Sequence, residues 1–333
     1  MKIRIFLISL MLFFTEIKVI LASESGTVIM YHRFGETEYP STNIKVNDFI
    51  KHLEFLKVEK FNVLPLSRLV SFFENDKPLP DKSVFITIDD GYKSVYEIAY
   101  PILKEYNFPF SIFISTDKVS ENNNSSYMSW DMIKELSENN VSIENHTSDH
   151  SRANKISSER FIEVVNKADR IISSKLGKKS KVFSFPYGES SLHKEKIIKD
   201  LGFSIAFSQH SSHIFKEENK FRLPRFAFNE EFGKIERFKM IMHSKPLKVF
   251  DILPLDSLIN DSKPLVIGFS TTYPLNSINC YNSMNLKMNL ERIKPDRIEL
   301  RFHEEIYADR IRINCTFVNN KKEIYWYGRM LNR

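Results

Sequence analysis

Ser83-Val84-Phe85-Ile86-Thr87-Ile88-Asp89-Asp90-Gly91-Tyr92 is a short apolar, β-branched run that stops at two adjacent carboxylates and a glycine. Val84, Phe85, Ile86 and Ile88 read as a strand covered on both faces, and Gly91 ends it. Asp89 and Asp90 are therefore expected at the C-terminal mouth of a strand. In sheets and barrels built from β-α units, ligands and chemistry gather at that end. Taken alone the pair leaves two uses open, a functional site or ordinary turn and helix-cap chemistry, because Asp favours both.

A second cluster, Glu144-Asn145-His146-Thr147-Ser148-Asp149-His150, follows another apolar stretch that ends at Ile143. Two His four apart can share one helical face and converge on one cation. In a chain with 9 His such spacing arises easily by chance, so it carries little by itself. Thr147 stands where the metalloprotease motif needs Glu, which excludes that chemistry. A third stretch, Phe183-Ser184-Phe185-Pro186-Tyr187-Gly188, is a strand stopped by Pro and Gly, leaving backbone N–H groups free at the same end. Two acids, two imidazoles and a backbone turn thus all follow strands, and the joint pattern is far more specific than any part.

Ile88-Asp89-Asp90-Gly91-Tyr92, His146-Thr147-Ser148-Asp149-His150 and Phe185-Pro186-Tyr187-Gly188, in this order, resemble the first three motifs of the polysaccharide deacetylases (carbohydrate esterase family 4, the NodB homology domain). The likeness runs from about Thr27 to Phe228 and takes in Met30-Tyr31-His32, Leu64-Pro65-Leu66-Ser67 and Ser129-Trp130-Asp131. It is strongest to the branch that acts on poly-N-acetylglucosamine. The resemblance implies a distorted seven-stranded β/α barrel and metal-dependent removal of N-acetyl groups. By position, Asp89 takes the role of catalytic base, and Asp90, His146 and His150 those of metal ligands. Pro186, Tyr187 and Gly188 form the turn against the substrate, with the Tyr187 N–H facing the oxyanion. An Asp oxygen and two neutral imidazoles leave open positions on a cation; zinc is the default, and the ligand types also admit cobalt, nickel or iron.

The chain departs from that pattern twice. Many members carry Arg two residues before the Pro of the third motif, where this chain has Ser184; Arg225, in Leu223-Pro224-Arg225-Phe226, is the expected substitute. The late Leu-x-x-His motif, whose His protonates the departing amine, has no clear copy. His210 is the first candidate for that role, with His32 and His243 behind it. Two other readings of the same residues stand beside hydrolysis of a polysaccharide amide: a carbohydrate-binding protein on an inactive scaffold, and a hydrolase of another amide. A retired enzyme has no need of a base beside its metal ligand, so Asp89 discriminates against the first.

The 333 residues allow one large domain and one small one. The net charge of +6 is spread among many acids without a continuous basic block, which argues against a nucleic-acid partner and suits anionic envelope polymers or lipid headgroups. Residues 1–22 carry Lys2 and Arg4, an apolar run from Ile5 to Phe14 and a small residue at Ala22, the pattern of an export signal or, since Ile20 makes a poor cleavage site, of an uncleaved anchor. Export places the protein in the periplasm, cell envelope or medium. Residues 23–245 are assigned to the deacetylase-like domain and 246–333 to a small β unit, expected from alternating runs at Leu265–Phe269, Arg297–Phe302, Arg310–Phe317 and Glu323–Tyr327.

Seven strands are expected to alternate with helices over the first part, an α/β architecture. Helices are read at Asp48–Glu59, behind Ser67, at Val95–Tyr106, behind Ser129 and from Ser157 to Leu176 with Gly177 past its end. Both cysteines, Cys280 and Cys315, lie in the tail, and an exported chain makes a disulfide the expected state. Tyr325-Trp326-Tyr327 suits strand packing better than a sugar platform.

Overall fold

The Ser83–Asp90 strand is buried along its whole length, and its alternating residues go to two different cores. Val84, Ile86 and Ile88 pack into the larger apolar cluster, with the helix residues Phe49, Leu53 and Leu56. Phe85 faces the other way, with Phe113, Phe207 and Leu223. Side chains alternate in a strand, so Thr87 and then Asp89 follow Phe85 onto that inner face. Each fully buried Ile or Phe contributes about 1.5–3 kcal/mol, which makes this strand expensive to shift out of register.

The computed structural model describes residues 22–120, 126–259 and 265–333. Apart from Ala22, the segment read as an export signal or anchor lies outside them. Strands Ile205–Phe207, Val182–Ser184, Ser142–Asn145, Phe110–Ile114, Ser83–Asp90 and Ser25–Tyr31 lie side by side in that order, all parallel, with Ile214–Phe215 antiparallel at the far edge. Asn62–Val63 and Phe226–Ala227 attach to Ser83–Asp90 and Ser25–Tyr31. The result is a curled mixed α/β sheet, the distorted β/α barrel that the sequence leads one to expect.

The helices follow from local signals. Ser158–Leu176 starts behind Ser157, whose Oγ accepts from Arg160 N–H, and ends at Gly177 with φ 67°. Trp130–Glu138 is capped by Ser129 in the same way. Val95–Ala99 is a π turn that runs into Tyr100–Tyr106, and Pro101, just past the join, supplies no N–H to the helical ladder. One expectation fails: Ser67 does not cap its helix. Pro65 occupies the cap of Leu66–Glu74, because its fixed φ suits the extended residue before a helix, and Ser67 falls inside the first turn.

The last part of the chain has its own core, in which Ile267, Phe269, Ile298, Leu300, Ile311 and Ile313 are buried. Two four-stranded sheets cover it. One joins Lys245–Pro246, Ile324–Asn332, Arg310–Val318 and Ile278–Asn282; the other joins Phe250–Leu253, Val266–Ser270, Arg297–Phe302 and Met288–Lys294. Cys280 and Cys315 face each other in register with Cα atoms 4.1 Å apart, and their sulfurs are joined. Tyr327 is buried in this core, and Trp326 packs edge-on against Phe226 of the first sheet while its Nε1–H donates to Asn314. The three aromatic residues are thus packing groups. Among the described residues no helix is long and apolar enough to cross a membrane.

Candidate active site

Asp89 and Asp90 end the same strand but leave it in opposite directions. Asp90 has φ 76° and Gly91 φ 81°, so the chain turns sharply as soon as the strand ends. A Cβ on Gly91 would stand 3.1 Å from Ile114 Cγ2, in a conformation that glycine alone adopts freely. Asp89 keeps the inward direction and meets Arg225. Nη1 donates to Asp89 Oδ1 and Nη2 to Oδ2, both at 2.7 Å, and both side chains are fully buried. Nη2 also donates to Ser184 Oγ at 2.8 Å, and Nε to the Ser208 carbonyl at 3.1 Å. Burial pushes the Asp89 carboxyl up, but the Arg225 charge, helped by His146, more than offsets it and holds the group below its ordinary value.

Asp90 faces the two imidazoles. Its Oδ1 lies 3.1 Å from His150 Nε2 and 3.5 Å from His146 Nε2. Burial again pushes the carboxyl up, and the two imidazoles beside it, His146 and His150, bring it well below the ordinary range. His146 Nδ1–H donates to the Ser184 carbonyl at 2.7 Å, which fixes the ring and leaves Nε2 with its lone pair inward. The two His do not share a helical face. They lie on the loop after the Ser142–Asn145 strand, where Thr147 (φ 65°) and His150 (φ 61°) both turn left-handed and bring the second ring back beside the first. Asp90, His146 and His150 present ligand atoms within 4.8 Å of one another. Asp90 Oδ1 and His146 Nε2 are buried without a hydrogen-bond partner. Orphaned polar atoms of that kind, facing one point, fit a divalent cation.

The third motif closes the group. Pro186 and Gly188 are buried and Tyr187 is half-buried, with its ring 4.6 Å from that of His150. Gly188 has φ 73°, and a Cβ there would come within 2.4 Å of Gln209 N. Pro186 and Gly188 therefore shape the turn, and only Tyr187 presents a side chain.

The remaining candidates separate clearly. His32 feels the attraction of Asp90 and Asp89, although burial outweighs it and pushes the ring below its ordinary value. His210 is buried, pushed down to about 3 by burial and by the guanidiniums of Arg222, Arg329 and Arg312, with no carboxylate acting on it. His243 is exposed and packs against Phe55 and Phe61. His32, ranked behind His210 in the sequence, is thus the imidazole placed with the acids. The strand register accounts for it: Tyr31 pairs with Ile88 in the parallel ladder, so the next pair in line is His32 and Asp89.

Residues 76–206 match the sequence model of the polysaccharide deacetylase family. The chain carries a polysaccharide deacetylase domain. Relatives of the chain are named polysaccharide N-deacetylases, which are hydrolases of amide C–N bonds. The chain is similar to the poly-beta-1,6-N-acetyl-D-glucosamine N-deacetylase of Staphylococcus aureus, 27% identical over 213 residues, which are 61% of this chain and 73% of that protein. In fold it is similar to the deacetylase PplD of Streptococcus pyogenes in complex with acetate, with TM-score 0.61, 19% identity and coverage of 66% of this chain and 98% of that one. It is likewise similar to IcaB from Ammonifex degensii, with TM-score 0.58, 22% identity and coverage of 66% and 98%.

Proposed function

We propose that the protein is a cation-dependent N-deacetylase acting on a polysaccharide that contains N-acetylglucosamine, with release of acetate. The observation that carries this reading is the presence of two buried acids with separate partners, Asp90 with the imidazoles and Asp89 with Arg225. A scaffold that only binds sugar has no use for the second. The likeness to the Staphylococcus aureus enzyme points to the same β-1,6-linked polymer.

A divalent cation held by Asp90, His146 and His150, zinc by default and with cobalt, nickel or iron admitted by the donors, would polarise the acetyl carbonyl and acidify a water. Asp89, kept ionised and fixed in one orientation by the Arg225 fork, takes the proton from the attacking water. The Tyr187 N–H receives the carbonyl oxygen as charge gathers on it. His32 gives a proton to the departing amine. His210, ringed by guanidiniums, is poorly suited to hold one.

Residues 23–245 would form the catalytic domain and 246–333 a unit built against it. Residues 1–22 would direct the chain to the cell envelope or hold it at a membrane surface. Acetate release from β-1,6-linked N-acetylglucosamine oligomers, peptidoglycan and small N-acetyl amides, before and after chelation and with cation added back, tests the reading. Turnover on the oligomers that chelation abolishes is expected. Full turnover in cation-free protein would remove the mechanism, and no turnover on any acetylated sugar would remove the substrate class.

A further inference from the structure

Tyr187 has φ 60° and ψ 2°. A residue with a bulky ring takes that left-handed shape only where its surroundings impose it. The imposing contacts come from the second core. Arg310, the first residue of the Arg310–Val318 strand, donates from Nη1 to the Tyr187 carbonyl at 2.9 Å, and its guanidinium lies 5.5 Å from the Tyr187 ring centre. Arg310 Nε is also 3.6 Å from Glu189 Oε1, and Arg152, two residues beyond His150, places Nη1 3.5 Å from the same oxygen. The Glu189 side chain is fully buried and neither of its oxygens has a hydrogen bond, so it is held by charge between two guanidiniums. A buried carboxylate with one of those cations removed would be strongly unfavourable, which ties the turn to the strand.

The neighbouring contacts repeat the arrangement. Arg152 pairs with Asp309, and its guanidinium stands 4.8 Å from the centre of the Tyr187 ring. Arg312 Nε donates to the Gln209 carbonyl at 3.3 Å, and Gln209 is the residue that packs on Gly188. Asn332 Nδ2 donates to the Ser190 carbonyl at 3.1 Å. One end of the two central strands of the C-terminal sheet, where Arg310 pairs with Asn332, therefore reaches the third motif and the residues next to it.

We propose that Arg310 is a positioning residue for the deacetylation: through it the C-terminal β unit holds the Tyr187 turn in the shape that aims its N–H at the reacting carbonyl. The proposal rests on the reading of Tyr187 N–H as the oxyanion donor. The β unit is then part of the catalytic apparatus, although it supplies no group that touches the reacting atoms.

The test uses the full chain with Arg310→Met and Arg310→Lys. Steady-state kinetics on N-acetylglucosamine oligomers are combined with cation content, melting temperature and amide hydrogen exchange over residues 185–190. Loss of one oxyanion donor costs about a hundredfold or more in kcat, so a donor left in place but misaimed is expected to cost about tenfold in Arg310→Met, with KM changed less than about threefold. Exchange at the turn should quicken while cation content holds, and Arg310→Lys, which can still reach the Tyr187 carbonyl, should recover part of both. A raised KM with kcat kept would make Arg310 a substrate contact and overturn the proposal. So would unchanged exchange at the turn, or a kcat loss equal in both variants that follows melting temperature. If Arg310→Met fails to fold, exchange in Arg310→Lys decides, since slackening confined to residues 185–190 supports the brace and uniform or unchanged exchange removes it. Exchange needs no substrate, so absence of acetate release in the parent protein would sink the deacetylase reading separately.

Discussion

The guanidinium of Arg225 meets both carboxylate oxygens of Asp89 at 2.7 Å, with neither side chain reaching solvent. A planar fork on a carboxylate fixes its orientation as well as its charge, and a lysine supplies only the charge. Arg225→Lys is therefore expected to fold, to keep its cation and to lose about ten- to a hundredfold in kcat. Arg225→Met leaves a buried carboxylate unpaired and should cost about 3–5 kcal/mol of stability. Kinetics and denaturant unfolding of the two variants check this; unchanged kcat in Arg225→Lys would detach Arg225 from the chemistry.

The two acids should separate by substitution. Asp89→Asn is expected to lower kcat by about a thousandfold or more while the cation stays bound, because Asp89 faces Arg225 and not the imidazoles. Asp90→Asn should weaken cation binding as well, since its Oδ1 is the atom nearest His150 Nε2. Cation content measured after dialysis against a weak chelator distinguishes them. Equal loss from both variants contradicts the assignment.

Acid should destabilise the cation-free protein, unevenly along the pH scale. His52, His210 and His213 are pushed to about 3 in the folded state, by burial first, from 6.5 when unfolded, so between those values the unfolded chain binds more protons and stability falls as pH falls. Glu144 and Glu218 are pushed up to about 7 by burial from 4.5, and over that interval they act in the opposite sense. Three groups against two leave a shallow loss of stability as pH falls from 6.5 to 4.5, and a steeper one from 4.5 to 3, where the carboxyls no longer oppose the rings. Urea unfolding at a series of pH values should show the steeper limb below 4.5, and His213→Gln should flatten it. Stability that rose on acidification across the lower interval would contradict the burial of these rings.

The cysteine pair spans a separation of 35 residues. Closing a loop of that length stabilises a small unit by about 3–4 kcal/mol on a chain-entropy argument. Intact mass after alkylation, with and without reductant, should show no free thiol in exported protein. Cys280→Ser with Cys315→Ser should lower the unfolding free energy by roughly that amount.

The site could be read in the sequence wherever local pattern decides position. The apolar run stopped by Gly91 put Asp89 and Asp90 at the mouth of a strand, and proline and glycine marked the turn at Tyr187. What could not be read depends on contacts between distant segments. His32 lies beside the acids because its strand is the lateral neighbour of theirs, a relation the search for a late motif, which put His210 first, does not see. The helical reading of His146 and His150 failed because spacing carries no record of two left-handed residues in a loop. The strands Ile278–Asn282 and Met288–Lys294 were missed since their exposed faces carry too many polar residues for an apolar alternation to stand out. The grip of Arg310 on Tyr187, across 123 residues, left no mark in either segment.

The pairing of Asp89 with Arg225 also orders events during synthesis, because 136 residues separate them. When the strand bearing Asp89 leaves the ribosome, its counter-ion has not yet been made. Closing the early strands into a dry core at that stage would seal in a lone carboxylate, at a cost of several kcal/mol. The nascent N-terminal half is therefore expected to stay open until residue 225 emerges, and a chain cut short of Arg225 to be cleaved readily by proteases under conditions where the full chain resists. If residues 1–22 direct export, this delay serves it, since a chain that has not closed on itself can still be threaded through a membrane.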